Sequence, residues 1–343
     1  MSGERIAVVL LNLGAPDRQE SVQPFLKNMF SDPAILSVPG PVRFFLARLI
    51  STLRAKKARA IYARLGGGSP LLPNTLAQAS ALEAALGPGH RVFVAMRYWH
   101  PRAAETVARV KVYAPDRVVL LPLYPQFSSA TTASSIKEWS ALARRMGLAC
   151  PTAAICCYPS EDGWINAQAD LVRRAHAEAS RAGRPRVLFS AHGLPKKVIA
   201  AGDPYQWQVE RTAAAVAARH GDASLDWVVC YQSRVGPLEW IGPSTEGEIG
   251  RAGRDKVPVV VVPIAFVSEH SETLVELDEE YRHLAVRSGV PAFVRVPAVA
   301  THKAFIEGLA ALVRGARPSG VCAADGARIC PAAHGLCAMT MGG

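Results

Sequence analysis

No run of apolar residues in this chain is long enough to cross a bilayer: the longest, residues 257–267, has eleven, against the roughly 20 a spanning helix needs. No low-complexity block interrupts its 343 residues, of which half are apolar and 20% charged. The body therefore reads as globular, with length for two domains or one large one. Residues 1–13 lack a basic n-region and a small-residue cleavage site and read as a first strand, so a cytoplasmic protein is expected. No zinc-finger, helix-turn-helix or RNP pattern supports nucleic acid as a partner. The phosphate-binding spacings GxxxxGK[ST] and GxGxxG are missing as well. Gly66-Gly-Gly-Ser-Pro70 follows no strand, and suits a plain turn or backbone approach to a flat ligand better than a nucleotide. Ser190 and His192 do not make a hydrolase, because no GxSxG elbow occurs. Acidic residues run short, 28 against 39 Lys and Arg, for a net charge of +11. With nucleic acid unsupported, that excess points to an anionic lipid surface or an acidic substrate.

What is present is a rhythm. Apolar strand-like runs at 5–13, 91–98, 117–124 and 152–158 recur in a second set at 186–191, 227–231, 257–267 and 292–299. Helical stretches such as 75–86, 103–113, 165–181 and 212–219 lie between them. Near-continuous apolar strands alternating with helices imply parallel sheets covered on both faces. The strands split evenly around Ala182-Gly-Arg-Pro185, giving a first lobe over 1–182 and a second over 183–300. A helix over 301–315 and a tail over 316–343 follow. The stretch 14–73, with Pro33, Pro39 and Pro41, breaks the rhythm and reads as a lip or lid. Within it Arg43, Arg48, Arg54, Lys56, Lys57, Arg59 and Arg64 are threaded by Phe44, Phe45, Leu46, Leu49, Ile50 and Leu53. That mixture suits peripheral contact with an anionic membrane, a carboxylate-bearing apolar ligand, or an ordinary amphipathic surface helix.

Two places carry chemistry. After residues 257–267 comes a run dense in carboxylates, where a 100° period puts Glu272, Glu276, Glu279 and Glu280 on one face with His283. Leu274, Leu277, Tyr281 and Leu284 fall opposite. Like charges four apart repel, so the ladder is either a solvated face or a track for cations or protons. It begins just past a strand's carboxyl end, where open α/β sheets place their ligands. His192 sits at another strand end, beside Gly193 and Pro195. Facing Glu272, it would offer an imidazole and a carboxylate, suited to Fe(II) or to removing a proton from a nitrogen acid. Seven cysteines without a secretion signal argue against a disulfide framework. Cys322, Cys330 and Cys337 lie in a Gly-, Ala- and Pro-rich tail with too little apolar periodicity to pack as helix or strand. Clustered thiols there suggest that a metal or cluster folds it.

The chain resembles the ferrochelatases, which insert Fe(II) into a porphyrin as the last step of haem synthesis. The segments that carry the resemblance are Leu11-Asn-Leu-Gly-Ala-Pro16, Gly66-Gly-Gly-Ser-Pro-Leu71 and Met96-Arg-Tyr-Trp-His-Pro101. They continue with Leu121-Pro-Leu-Tyr-Pro-Gln-Phe127, Phe189-Ser-Ala-His-Gly-Leu-Pro195 and Tyr231-Gln-Ser-Arg-Val-Gly-Pro237. Trp240-Ile-Gly-Pro-Ser-Thr245 and the stretch from Pro263 to Thr273 complete the set, in order over roughly residues 5 to 315. The resemblance implies an α/β fold of two Rossmann-like lobes, each a parallel four-stranded sheet flanked by helices, around a porphyrin cleft. It makes His192 the acceptor of pyrrole protons or a metal ligand and Glu272 the acid facing it. Glu276 and Glu280 become an acidic line leading away, and Arg54 a partner for a propionate. Leu13, Ser69, Arg97, Tyr98, Gln232, Ser233 and Trp240 take porphyrin-pocket positions. Fe(II) enters as substrate.

Some ferrochelatases hold a [2Fe–2S] cluster on three tail cysteines and one internal cysteine, which implies Cys322, Cys330 and Cys337 here. The body position used by animal members is Ser129, so Cys157 is taken as fourth ligand, over Cys156, Cys150 and Cys230. A zinc site or three idle thiols are the alternatives. The rival functions are a cobalt chelatase of the same superfamily, against which the first-lobe and 231–245 segments argue, and a bilobal haem or metal carrier without catalysis. The preferred porphyrin, proto- or coproporphyrin, and a homodimer as the working assembly stay open.

Overall fold

The computed structural model describes residues 4–234, 238–324 and 326–340; residues 235–237, part of one of the segments quoted above, lie outside them. Nine strands are described: β1 Ile6–Asn12, β2 His90–Met96, β3 Arg117–Pro122, β4 Thr152–Ile155, β5 Arg186–His192, β6 Asp226–Gln232, β7 Val259–Pro263, β8 Phe293–Arg295 and β9 Gly320–Cys322. They form two sheets, in the orders β2-β1-β3-β4-β9 and β6-β5-β7-β8, with every pair parallel. The central strands explain themselves. Every residue of Ile-Ala-Val-Val-Leu-Leu-Asn in β1 and of Val-Val-Val-Val-Pro in β7 is buried, as a strand covered on both faces requires. β7 stops at Pro263, which has no N–H to continue a ladder.

The first sheet has five strands where four were expected, because the tail supplies one. Short as it is, Gly-Val-Cys pairs with β4 in register Ala153 with Gly320 through Ile155 with Cys322. The tail is thus not devoid of regular structure. A parallel neighbour offering backbone groups suffices for a three-residue edge strand that shows no period of its own.

The chain forms two compact units. The first takes the described residues up to Cys156 with Ala310–Arg328, the second Cys157–Leu309 with the tail from Ile329. The boundary falls at Cys156/Cys157 and not near 182. The reason is the helix Asp162–Ala179, which packs on the helix Tyr205–His220 and on β7 and β8. Trp164, Ile165, Val172 and Ala179 on its buried face join the second core. In the first unit the stretch read as a lip holds two packed helices, Val22–Phe30 and Gly40–Arg64, closed around Phe25, Leu26, Phe30, Ala47, Tyr62 and Tyr98. The second leaves Phe44, Phe45, Leu49 and Leu53 exposed, from 53% to 71%.

Candidate active site

β5 ends in His192, which the parallel register sets beside Gln232, the last residue of β6. Gly193 follows, and a Cβ there would come within 3.0 Å of the Gln232 carbonyl oxygen and 3.4 Å of the Trp240 ring, so glycine lets the turn close without its neighbours shifting. Beyond β7 the chain enters a helix that is π-type over Glu272–Glu280 and α-type over Tyr281–Arg287. A π-helix bonds residue i to i+5, so its faces drift from the 100° spacing, and such stretches favour functional sites. The acidic face expected from that spacing is accordingly not kept. Glu272 and Glu276 remain together, Glu280 and His283 are exposed, and Val275 is buried in place of Leu274.

Nδ1 of His192 lies 3.0 Å from Oε2 of Glu272. The imidazole keeps 39% of its side-chain surface and Glu272 30%, so the pair is reachable although surrounded by protein. Burial works against charge on His192, but the Glu272 carboxylate, its hydrogen bond and the charge of Glu276 outweigh it and carry the imidazole above its ordinary range. Burial likewise opposes charge on Glu272. The His192 charge and hydrogen bond, with His270 Nε2 at 4.0 Å, nevertheless hold this carboxylate down at about 2.

Glu276 behaves the opposite way. Burial and the neighbouring Glu272 push it up to about 6, against the hydrogen bonds it receives from Ser233. Those come from the Ser233 backbone N–H at 2.9 Å and Oγ at 2.6 Å. To make both, Ser233 adopts a left-handed φ of 59°, a conformation costly for a residue with a Cβ. The Tyr281 hydroxyl lies 3.2 Å from Oε1 of Glu276 and 2.9 Å from Oε1 of Glu246. One phenolic proton can serve only one carboxylate at a time, so a hydrogen bond to the second requires a proton on that carboxyl. Glu276, protonated up to about 6, is suited to do so. Two carboxylates with opposed shifts beside one imidazole can hold and pass protons.

The other expected residues fall in varied places. Trp240 is half-buried, bridges Pro195, and its indole N–H finds no partner among the described residues. Gln232 is fully buried, accepting from Ser190 Oγ at 2.8 Å, while its Nε2 likewise lacks a partner among the described residues. In the first unit Tyr98 is fully buried, its hydroxyl 2.8 Å from Asp32. Arg97 is committed to carboxylates, 2.7 Å from Asp32 and 2.9 Å from Glu138. Arg54 is exposed, its guanidinium 5.8 Å from the centre of the Phe30 ring. Leu13 is half-buried, and Ser69 precedes the helix Leu71–Leu86, receiving the Leu71 N–H at 3.3 Å. Sequence reasoning missed Glu246 and Tyr281. The first looks like an ordinary first-turn acid at a helix N-terminus and the second like a member of an apolar stripe, so neither carries a signal.

Cys157, Cys330 and Cys337 gather in the second unit. The Cys330 thiol is drawn down to about 6, first by a hydrogen bond from Cys157 and then, against burial, by Gln208 at 3.1 Å, Cys337 and His334. Cys322 stands on β9 in the first unit, its Sγ 3.8 Å from the Ala154 carbonyl oxygen, and burial raises its thiol. Among the described residues no three or more His, Cys, Asp or Glu side chains are arrayed to hold a metal ion. The three gathered thiols, one of them acidified, fit thiolate ligation in chemistry, in an arrangement set for hydrogen bonding.

The family described as ferrochelatase matches residues 5–317. A ferrochelatase of Caulobacter vibrioides is 54% identical, over 98% of this chain and 99% of its own. One from Phenylobacterium zucineum is 52% identical, over 99% of each. Among solved structures, a multi-domain Deinococcus radiodurans protein described as similar to chelatases superposes with a TM-score of 0.52 at 15% identity, over 93% of this chain and 57% of its own.

Proposed function

The chain belongs to the ferrochelatase family, and from that premise we propose that it inserts Fe(II) into protoporphyrin IX or coproporphyrin III with His192 and Glu272 at the reacting nitrogens. The observation that carries the reading is the 3.0 Å contact of His192 Nδ1 with Glu272, which leaves Nε2 as the nitrogen for substrate. Metalation breaks two pyrrole N–H bonds and forms four nitrogen–iron contacts. Two protons leave and no electron is transferred, so the protein must take up protons near the ring. In its neutral form, with Nδ1–H on Glu272, His192 receives a pyrrole proton at Nε2 and becomes the imidazolium that the Glu272 carboxylate stabilises. Glu276, Tyr281 and Glu246 then offer a way out, and the exposed Glu280 stands as a surface acid at the end of the π-type stretch. His192 and Glu272 would also meet the incoming Fe(II).

Of the porphyrin positions, Arg54 suits a propionate because it is an exposed cation, and Leu13, Ser69, Arg97, Ser233 and Trp240 are taken as ring contacts. Tyr98 and Gln232, fully buried, would act by holding their neighbours. The test is anaerobic turnover of Fe(II) with each porphyrin, read as haem absorbance. Absence of haem with both would overturn the activity.

Two further readings rest on this one. The exposed aromatic and leucine side chains of Gly40–Arg64, interleaved with arginine and lysine, favour peripheral contact with an anionic membrane. No helix among the described residues is long and apolar enough to cross one. Salt-sensitive cosedimentation with anionic vesicles is expected, and its absence at low salt would remove that role. Cys157, Cys322, Cys330 and Cys337 are proposed to hold a [2Fe–2S] cluster, which the acidified Cys330 favours.

A further inference from the structure

We propose that His176 and His220 form a second, peripheral site for one borderline divalent cation of the zinc type, with Asp222 as the carboxylate beside it. His176 lies in the last turn of the helix Asp162–Ala179, and His220 is the last residue of the helix Tyr205–His220. The two helices pack together and bring the imidazole centres to 4.9 Å, with ring planes at 73°. Two imidazoles on one tetrahedral zinc, at Zn–N distances of about 2.0–2.1 Å, put their ring centres about 5 Å apart. The observed ring-centre spacing matches that value.

A second observation is independent of the spacing. Nδ1 of His220 is buried and has no hydrogen-bond partner among the described residues. A buried polar nitrogen left this way is costly, and a cation would satisfy it. His176 sits in the last turn of one helix and His220 at the last residue of the other, at the negative poles of their dipoles. Asp222 lies two residues beyond His220, its Oδ1 accepting from the backbone N–H and Oγ of Ser224, both at 2.8 Å. Asp222 stands outside the ligand set, since no three His, Cys, Asp or Glu are arrayed to hold an ion among the described residues, and the remaining positions around the cation would be water.

The probe is Zn2+ alone, added to the full chain and to full-length His176→Gln, His220→Gln and the double variant, all of which keep His192 and the tail thiols. Equilibrium dialysis at pH 7.5 should show each single variant retaining one zinc equivalent fewer than the wild type. The double variant should lose no more than either single, because one site is removed in every case. Zinc should also protect His176 from acylation by diethyl pyrocarbonate in the wild type, a measurement that stands if a variant fails to fold. Equal zinc content in wild type and double variant, or modification of His176 indifferent to saturating zinc, would overturn the site. Neither outcome touches haem formation, so the test is separate from that of the activity.

Discussion

Glu272 and His192 each hold the other in its charged form, and the pH range of that arrangement follows from the direction of each shift. Glu272, held at about 2 against an ordinary 4.5, contributes stability above 4.5 and loses it as pH falls toward 2. His192, raised above its ordinary 6.5, contributes below 6.5 and loses it as pH climbs through its elevated value. The two contributions coincide between about 4.5 and 6.5. The melting temperature of Glu272→Gln should therefore fall furthest below the wild type in that window and approach it on either side. A gap independent of pH, measured by calorimetry, would show that the contact does not work through charge. For catalysis the same pair predicts that His192→Ala loses about 100-fold or more in kcat. Porphyrin binding, followed by fluorescence, should persist because Nε2 meets only the reacting centre. Near-normal turnover in a folded variant would remove His192 from the chemistry.

At the scale of the element, the π-helical turn over Glu272–Glu280 sets which acids share the site. Glu276 is pushed up to about 6 by burial and by Glu272, so its proton favours the folded state at acid pH and that gain is lost as pH rises through 6. Glu276→Gln should raise the melting temperature by a few degrees at pH 8, where the wild-type carboxylate is ionised beside Glu272. The same change should slow turnover severalfold, since a glutamine cannot take a proton from the pair. Unchanged melting with unchanged kcat would mean that Glu276 is a solvated surface acid. Much of this was legible in the chain itself: His192 at a strand end, Glu272 just beyond another, and the apolar strands that bring them together. The rest was not, for physical reasons. Hydrophobic period distinguishes buried from exposed but not an α- from a π-turn, so Glu280 was placed with the pair and is exposed. Tyr281 reads as core until its hydroxyl is seen between Glu276 and Glu246. β9 has no pattern at all, because its pairing is supplied by the backbone of β4.

For the whole molecule, the tail is where two accounts of folding can be told apart. Its first part is held by a ladder: Gly320–Cys322 pairs with β4, and the Cys156 N–H donates to the Cys322 carbonyl at 2.8 Å. Its later part is held without strand pairing, among other contacts by the Leu336 N–H on the Gly202 carbonyl at 3.2 Å, by the rings of Trp207 and His334 and by the thiols at Cys330 and Cys337. If Cys157, Cys322, Cys330 and Cys337 ligate a [2Fe–2S] cluster, protein purified without oxygen should be coloured and carry two irons and two sulfides per chain. Changing any of the four to serine should bleach it, because a cluster of this kind takes four ligands. Cys156→Ser should leave the colour, since it is Cys157 that meets Cys330. Bleaching should also expose the tail to protease unevenly. Cuts are expected between β9 and Cys337, where no strand ladder among the described residues holds the chain, while residues 320–322 stay protected by theirs. A colourless protein containing zinc would refute the cluster. A bleached variant whose tail resists protease throughout would show that backbone pairing alone folds it.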